Sequence, residues 1–185
     1  MGNAGGSLTV RSTADLRGPV ERAGFTDAED AGSPADGWQV LEVAESQKRS
    51  VADLVRSTGA PVLLVTYLDS DVGFVEAAAP GGGAWEALLN RAVAEDYDIP
   101  LDQFPVEHAV GAAAAWALAA GLTPDEGLVR RALTGSAVFA EELASLLLAA
   151  LGVREGSRPT PPGQTVRGAG PSAAGPPGGP RPPAG

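Results

Sequence analysis

The chain changes character at Gly152. The 33 residues from 153 onward are mainly proline, glycine, alanine and arginine, with Val153 and Val166 the only large apolar side chains. Such a stretch cannot bury enough apolar surface to offset the entropy lost on ordering, so it is expected to be a disordered tail with polyproline II character. A fold must therefore be built from residues 1–152, enough for one compact core and too few for two. The tail reads as a linker or solubilising segment. Its Arg158-Pro159-Thr160-Pro161-Pro162 run lacks the next proline that an SH3-type ligand needs.

The break also divides the charge. The whole chain carries −10. The tail from residue 154 holds Arg154, Arg158, Arg167 and Arg181 against Glu155, which leaves the body with nine basic and 22 acidic residues, about −13. A body this negative repels polyphosphate and attracts basic protein surfaces, which argues against general nucleic-acid binding. With no cysteine, disulfides, thiolate metal sites and cysteine nucleophiles are excluded, and His108 alone cannot make a multi-histidine zinc site. Neither a cofactor nor a metal is expected. No run approaches the roughly 18 apolar residues of a membrane span. The first residues lack the basic flank and apolar core of a signal peptide, so a cytoplasmic location is the default. Lys48 is the only lysine, whereas arginine, alanine and proline abound, a bias typical of a GC-rich bacterial genome.

The pattern along the body predicts α+β. Strands are expected at 7–10, 38–43 and 61–68, the last apolar on both faces and so central. Asp69-Ser70-Asp71 supplies turn chemistry, which makes 62–78 a hairpin. Residues 26–36, acidic and poor in large apolar groups, read as a loop. A helix near 47–58 is signalled by Ser50 with Asp53 at its start, Ser46 being the alternative cap, and by Gly59 at its end. Pro19 breaks, or begins, a helix between 13 and 24. Trp85, Leu88, Leu89, Ala92 and Val93 lie on one helical face, predicting a helix over 84–96. Further helices are expected over 106–120, after the Thr123-Pro124-Asp125-Glu126 start signal with Leu128, Val129, Ala132 and Leu133 inward, and along Val138, Phe139, Leu143, Leu146, Leu147 and Leu151. The architecture is then a small, mostly antiparallel sheet with a central hairpin, packed against a C-terminal layer of helices. A parallel pairing of the 38–44 and 61–68 strands through their connecting helix stays open.

Two acidic groups stand out. Glu95, Asp96, Tyr97, Asp98, Asp102 and Phe104 combine carboxylates with aromatic rings, a mixture suited to the rim and anchor of a site for a basic partner. Asp69, Asp71 and Glu76 form a second set near the hairpin, where paired carboxylates could also do acid–base work or hold a hard cation. Gly81-Gly82-Gly83 lacks the Gly-Lys-Ser/Thr of a phosphate loop and serves as a turn before the expected helix. His108 has no placeable nucleophile beside it, and Trp38, Trp85 and Trp116 have the spacing of core residues.

No catalytic residue is identified, and the chain leans away from being an enzyme. The expected role is a non-enzymatic bacterial protein-interaction domain that meets a basic protein partner, with an immunity-type protein as one concrete form. The alternatives are a regulatory domain binding a small molecule in a pocket between the hairpin and the helical layer, and a metal-dependent hydrolase using Asp69, Asp71 or Glu76.

Overall fold

A computed structural model describes residues 5–44, 46, 48–81 and 83–154. Residues 155–185 of the proposed Pro/Gly tail lie outside these, so the tail expectation is not addressed there; its first two residues belong to the folded body, with Val153 buried in the core and Arg154 paired with Asp36. Six strands form one sheet: β1 (Gly5–Arg11), β2 (Thr26–Gly32), β3 (Trp38–Ala44), β4 (Val62–Leu68), β5 (Val72–Ala78) and β6 (Trp85–Leu89). Their order across the sheet is β2-β3-β1-β4-β5-β6, and every neighbouring pair is antiparallel. The helices are α1 (Arg17–Arg22), α2 (Val51–Thr58), α3 (Arg91–Asp96), α4 (Val106–Ala119), α5 (Glu126–Thr134) and α6 (Ala140–Leu151), with a 3-10 turn at Leu101–Gln103. The fold is α+β, as the residue pattern predicts.

Strand alternation splits the main core in two, and a third, smaller cluster of Val72, Leu88 and Ala94 lies under α3. Along β4, Val62 and Leu64 point to one face and Leu63 and Val65 to the other, all four buried. The first face packs on α1 and α2 through Val20, Val51 and Leu54. The second packs on α4, α5 and α6 through Val110, Leu133 and Leu147. The sheet is therefore covered on both sides, and not by the C-terminal helices alone. On the second face Trp38 and Trp116 meet with ring centroids 6.0 Å apart, and the Trp116 indole N–H donates to the Ala78 carbonyl at 2.9 Å. Alanines 109, 113 and 117 along α4 are buried and let this helix approach the sheet closely.

Local signals at α2 are realised as expected. The Ser50 hydroxyl accepts from the Asp53 N–H at 3.1 Å, and Gly59 closes the helix at φ 64°. Pro19 falls inside the first turn of α1, where its missing N–H has no intrahelical partner to lose.

Five sequence expectations are corrected. Residues 26–32 form edge strand β2, because the free ladder of β3 accepts a polar segment that needs no buried face. Residues 85–89 are strand β6: Trp85, Ala87 and Leu89 alternate onto the helical face while the β5 ladder pairs with them from Ala77 to Gly73. The triple-glycine segment therefore leads into a strand. The strands at 38–44 and 62–68 are not paired, since β1 lies between them and hydrogen-bonds to both. The cap of α5 is Asp125, whose carboxylate accepts from the Leu128 N–H at 3.0 Å, two residues beyond the expected Thr123; Leu128 is partly exposed. Finally, α6 begins only at Ala140, which leaves Val138 and Phe139 outside it.

Replacing Trp116 by Ala should cost about 3–5 kcal/mol, from the cavity and the orphaned Ala78 carbonyl together. Leu118, on the exposed side of the same helix, should tolerate Ala within about 0.5 kcal/mol. Urea unfolding of the two variants checks the contrast.

Candidate functional site

The β4–β5 turn is tight. The Asp71 N–H donates to the Leu68 carbonyl at 2.9 Å, and the two central residues, Asp69 and Ser70, both have positive φ, 52° and 64°. This matches the sign pattern of a type I′ hairpin turn, whose twist suits the flanking strands. The turn holds two carboxylates out at the tip.

Three segments converge on it. From α6, the Ala140 N–H donates to the Ser70 carbonyl at 2.8 Å. From the junction of β6 and α3, the Asn90 amide donates to the Asp71 carbonyl at 2.7 Å. From the end of α3, the Tyr97 hydroxyl donates to Asp71 Oδ2 at 2.9 Å. That hydrogen bond pushes the Tyr97 phenol above its ordinary value, assisted by desolvation and by the charges of Asp71 and Asp69. Ionised Tyr97 would lose the bond and face two carboxylates.

The two acidic groups picked from the sequence thus meet in part. Tyr97 joins Asp71 across 26 residues of chain, with Glu95, Asp96 and Asp98 exposed on either side of the tyrosine. Beside the tip, the α5–α6 loop presents Val138 at 74% and Phe139 at 53% exposure, with Leu68 and Tyr97 also exposed. Sequence reasoning placed Val138 and Phe139 on a buried helical face and missed them as surface residues. Their i to i+4 spacing to Glu142 and Leu143 resembles helix, and only the Ala140–Ser70 bond shows where the helix starts.

Other members of the sets go elsewhere. Asp102 is exposed on the 3-10 turn. Phe104 is half-buried edge-on to Phe74, with centroids 6.3 Å apart, and its carbonyl accepts from Arg91; it is a packing residue. Glu76 sits down the β5 strand, directly opposite Glu86 of β6, on the face shared with Leu64. It lies in a groove of about 330 Å³ lined also by Arg49, Thr66, Phe74 and Phe104. An adjoining hollow of about 320 Å³ reaches Val51, Gln103 and His108. This groove is on the α2 side of the sheet, not between the hairpin and the C-terminal helices. Burial raises the Glu76 carboxyl above its ordinary value, Arg49 offsets part of that, and Glu86 adds to it. Among the described residues, no three His, Asp or Glu side chains are grouped to hold a metal ion, and no helix is long and apolar enough to cross a membrane.

No protein-family model matches the chain, and no curated protein or solved structure matches it.

Because folding raises the Glu76 pKa, ionised Glu76 opposes the fold, and that penalty grows as pH climbs through its titration. Glu76→Gln should therefore raise the melting temperature at pH about 7 and lose this advantage below pH about 4, where the wild-type carboxyl is protonated in both states. Melting curves across that range test the sign. At the tip, Asp71→Asn should bring the Tyr97 phenol back toward its ordinary value, read by ultraviolet titration.

Proposed function

We propose that this chain is a non-enzymatic protein-interaction domain that docks a partner with a basic, partly apolar surface at the hairpin tip. The observation that carries the reading is the juxtaposition of the Asp71–Tyr97 pair and Asp69 with the exposed Val138 and Phe139. Protein interfaces combine a few desolvated aromatic anchors with a polar rim. Here Phe139 and Tyr97 supply the anchors, and Asp69, Asp71, Glu95, Asp96 and Asp98 supply a rim of one sign.

The charge of the body supports the same reading. An excess of carboxylates steers a basic partner toward the surface from beyond contact range, and salt screens that steering. In its immunity-type form, the partner would be a basic toxin, and the domain would act in the cytoplasm.

The test is a photo-crosslinking amino acid placed at position 139 of the full chain, in cells of the encoding organism. A discrete adduct with a basic protein is expected, and a probe at Leu118 on α4 should give none. With that partner purified, Asp69→Asn combined with Asp71→Asn should slow association at low salt and change it little at high salt. Phe139→Ala should weaken binding about tenfold or more, chiefly through faster dissociation. Equal adduct formation at positions 139 and 118, or association indifferent to salt, would sink the reading.

A further inference from the structure

We infer that Asn90 is the positioning residue that holds the acidic tip and the apolar loop of this surface in register with one another. Its side chain is fully buried, at 0% exposure, and every hydrogen-bonding capacity of its amide is used. Nδ2 donates to the Asp71 carbonyl at 2.7 Å and to the Ala137 carbonyl at 3.1 Å. Oδ1 accepts from the Ser136 hydroxyl at 3.2 Å and from the Ala137 N–H at 3.4 Å. One planar group therefore ties the hairpin tip to the loop that carries Val138 and Phe139.

The rest of the contact is thin. Val138 and Phe139 are mostly solvent-exposed, so within the loop apolar packing on the core comes from Ala137. Among the described residues, the other hydrogen bond between this segment and the tip is Ala140–Ser70. Asn90 also stands at the N-cap position of α3, yet its side chain makes no capping bond there. Asparagine is common at such caps because it accepts from the first turn; here the amide is committed to the tip and the loop instead. Its backbone, at φ 59°, is in the left-handed region that asparagine tolerates better than most residues. Two separate properties thus select this side chain, a permissive backbone and a bifunctional amide, and they can be pulled apart by substitution.

Asn90→Gly keeps the backbone freedom and removes the amide. Asn90→Asp keeps the shape and sets a carboxylate against the Asp71 and Ala137 carbonyl oxygens, so it should be the more damaging of the two. In the Gly variant, amide exchange at Ala137 and Ala140 should quicken about tenfold or more while the core amides of β4 keep their protection. The Tyr97 phenol should titrate closer to its ordinary value, because Asp71 is no longer held beneath it. A residue needed only for its backbone conformation would leave both readouts unmoved in the Gly variant, and that result overturns the inference. Should the Gly variant lose core protection as well, Ser136→Ala removes one of the four bonds alone; it should quicken exchange at Ala137 by a smaller factor, and no change there overturns the inference too.

The consequence for binding rests on the docking reading above. With the photo-crosslinker at position 139, the Asn90→Gly chain should give at least about tenfold less adduct than the parent. Equal yields from the two chains would overturn the positioning role while leaving the docking surface intact. Absence of any adduct from the parent chain would instead count against the docking reading, with the exchange and titration results still deciding the role of Asn90.

Discussion

The fold depends on β1 being paired along both of its edges. Leu8, Thr9 and Val10 are buried, and this strand hydrogen-bonds to β3 on one side and β4 on the other. Insertion of the first strand between two later ones means that the sheet cannot close until the chain has travelled out to Val62 and back. It also separates β3 from β4, so the α2 connection must pass over β1 and lies on one face of the sheet. The opposite face is left for the three C-terminal helices. Every later element takes its side of the molecule from that one insertion. The cost is a set of long-range contacts that must form together, the kind of topology that folds slowly compared with a helical bundle.

The surface at the hairpin tip is a product of the same arrangement. The turn between β4 and β5 emerges where α3 ends and α6 begins. Above a small apolar cluster of Val72, Leu88 and Ala94, the tip is held by polar bonds: the Asp71 carbonyl, the Ser70 carbonyl and the Asp71 carboxylate each meet a donor from a different segment. A hydrogen-bonded frame of this kind keeps carboxylates at fixed positions while leaving them wet. It suits recognition by charge better than chemistry that needs a dry cavity. The Glu76–Glu86 pair shows the contrast. There, like charges face each other across a ladder, a destabilising placement, and the carboxyl partly withdrawn from water responds by resisting ionisation.

Much of the fold is legible in the residues, and the pattern of success is physical. α2 is announced locally by Ser50, Asp53 and Gly59, all of which act within one turn of their own position. β4 is announced by its unbroken apolar run. By contrast, Trp85 and Leu89 satisfy helical and alternating periods alike, Leu88 fits only the helical face, and the choice was made by the open ladder of β5. β2 carries little apolar signature, because an edge strand that packs on the core only through Ala28 needs little. The site was legible in pieces. Its carboxylates and Tyr97 could be named from composition, but the Tyr97–Asp71 bond spans segments that no local rule connects. Glu76, five residues along the chain from Asp71, was grouped with the tip although strand geometry carries it about 16–17 Å away. Asn90 had only the faint signal of an asparagine between an alternating stretch and a helical one. Phe139 was hidden by spacing that mimics a helix one turn longer than the real one.

β2 has a bearing on how copies of this chain treat one another. It is a border strand whose register slips twice, between Thr26 and Glu29 and between Asp30 and Gly32, and it carries Asp27, Glu29 and Asp30. A second molecule approaching that border would have to align its own backbone with an uneven row of donors and acceptors while bringing like charges together. Fibre growth from this side is thereby discouraged even in a crowded cell, although apolar side chains stand exposed elsewhere at Val138 and Phe139.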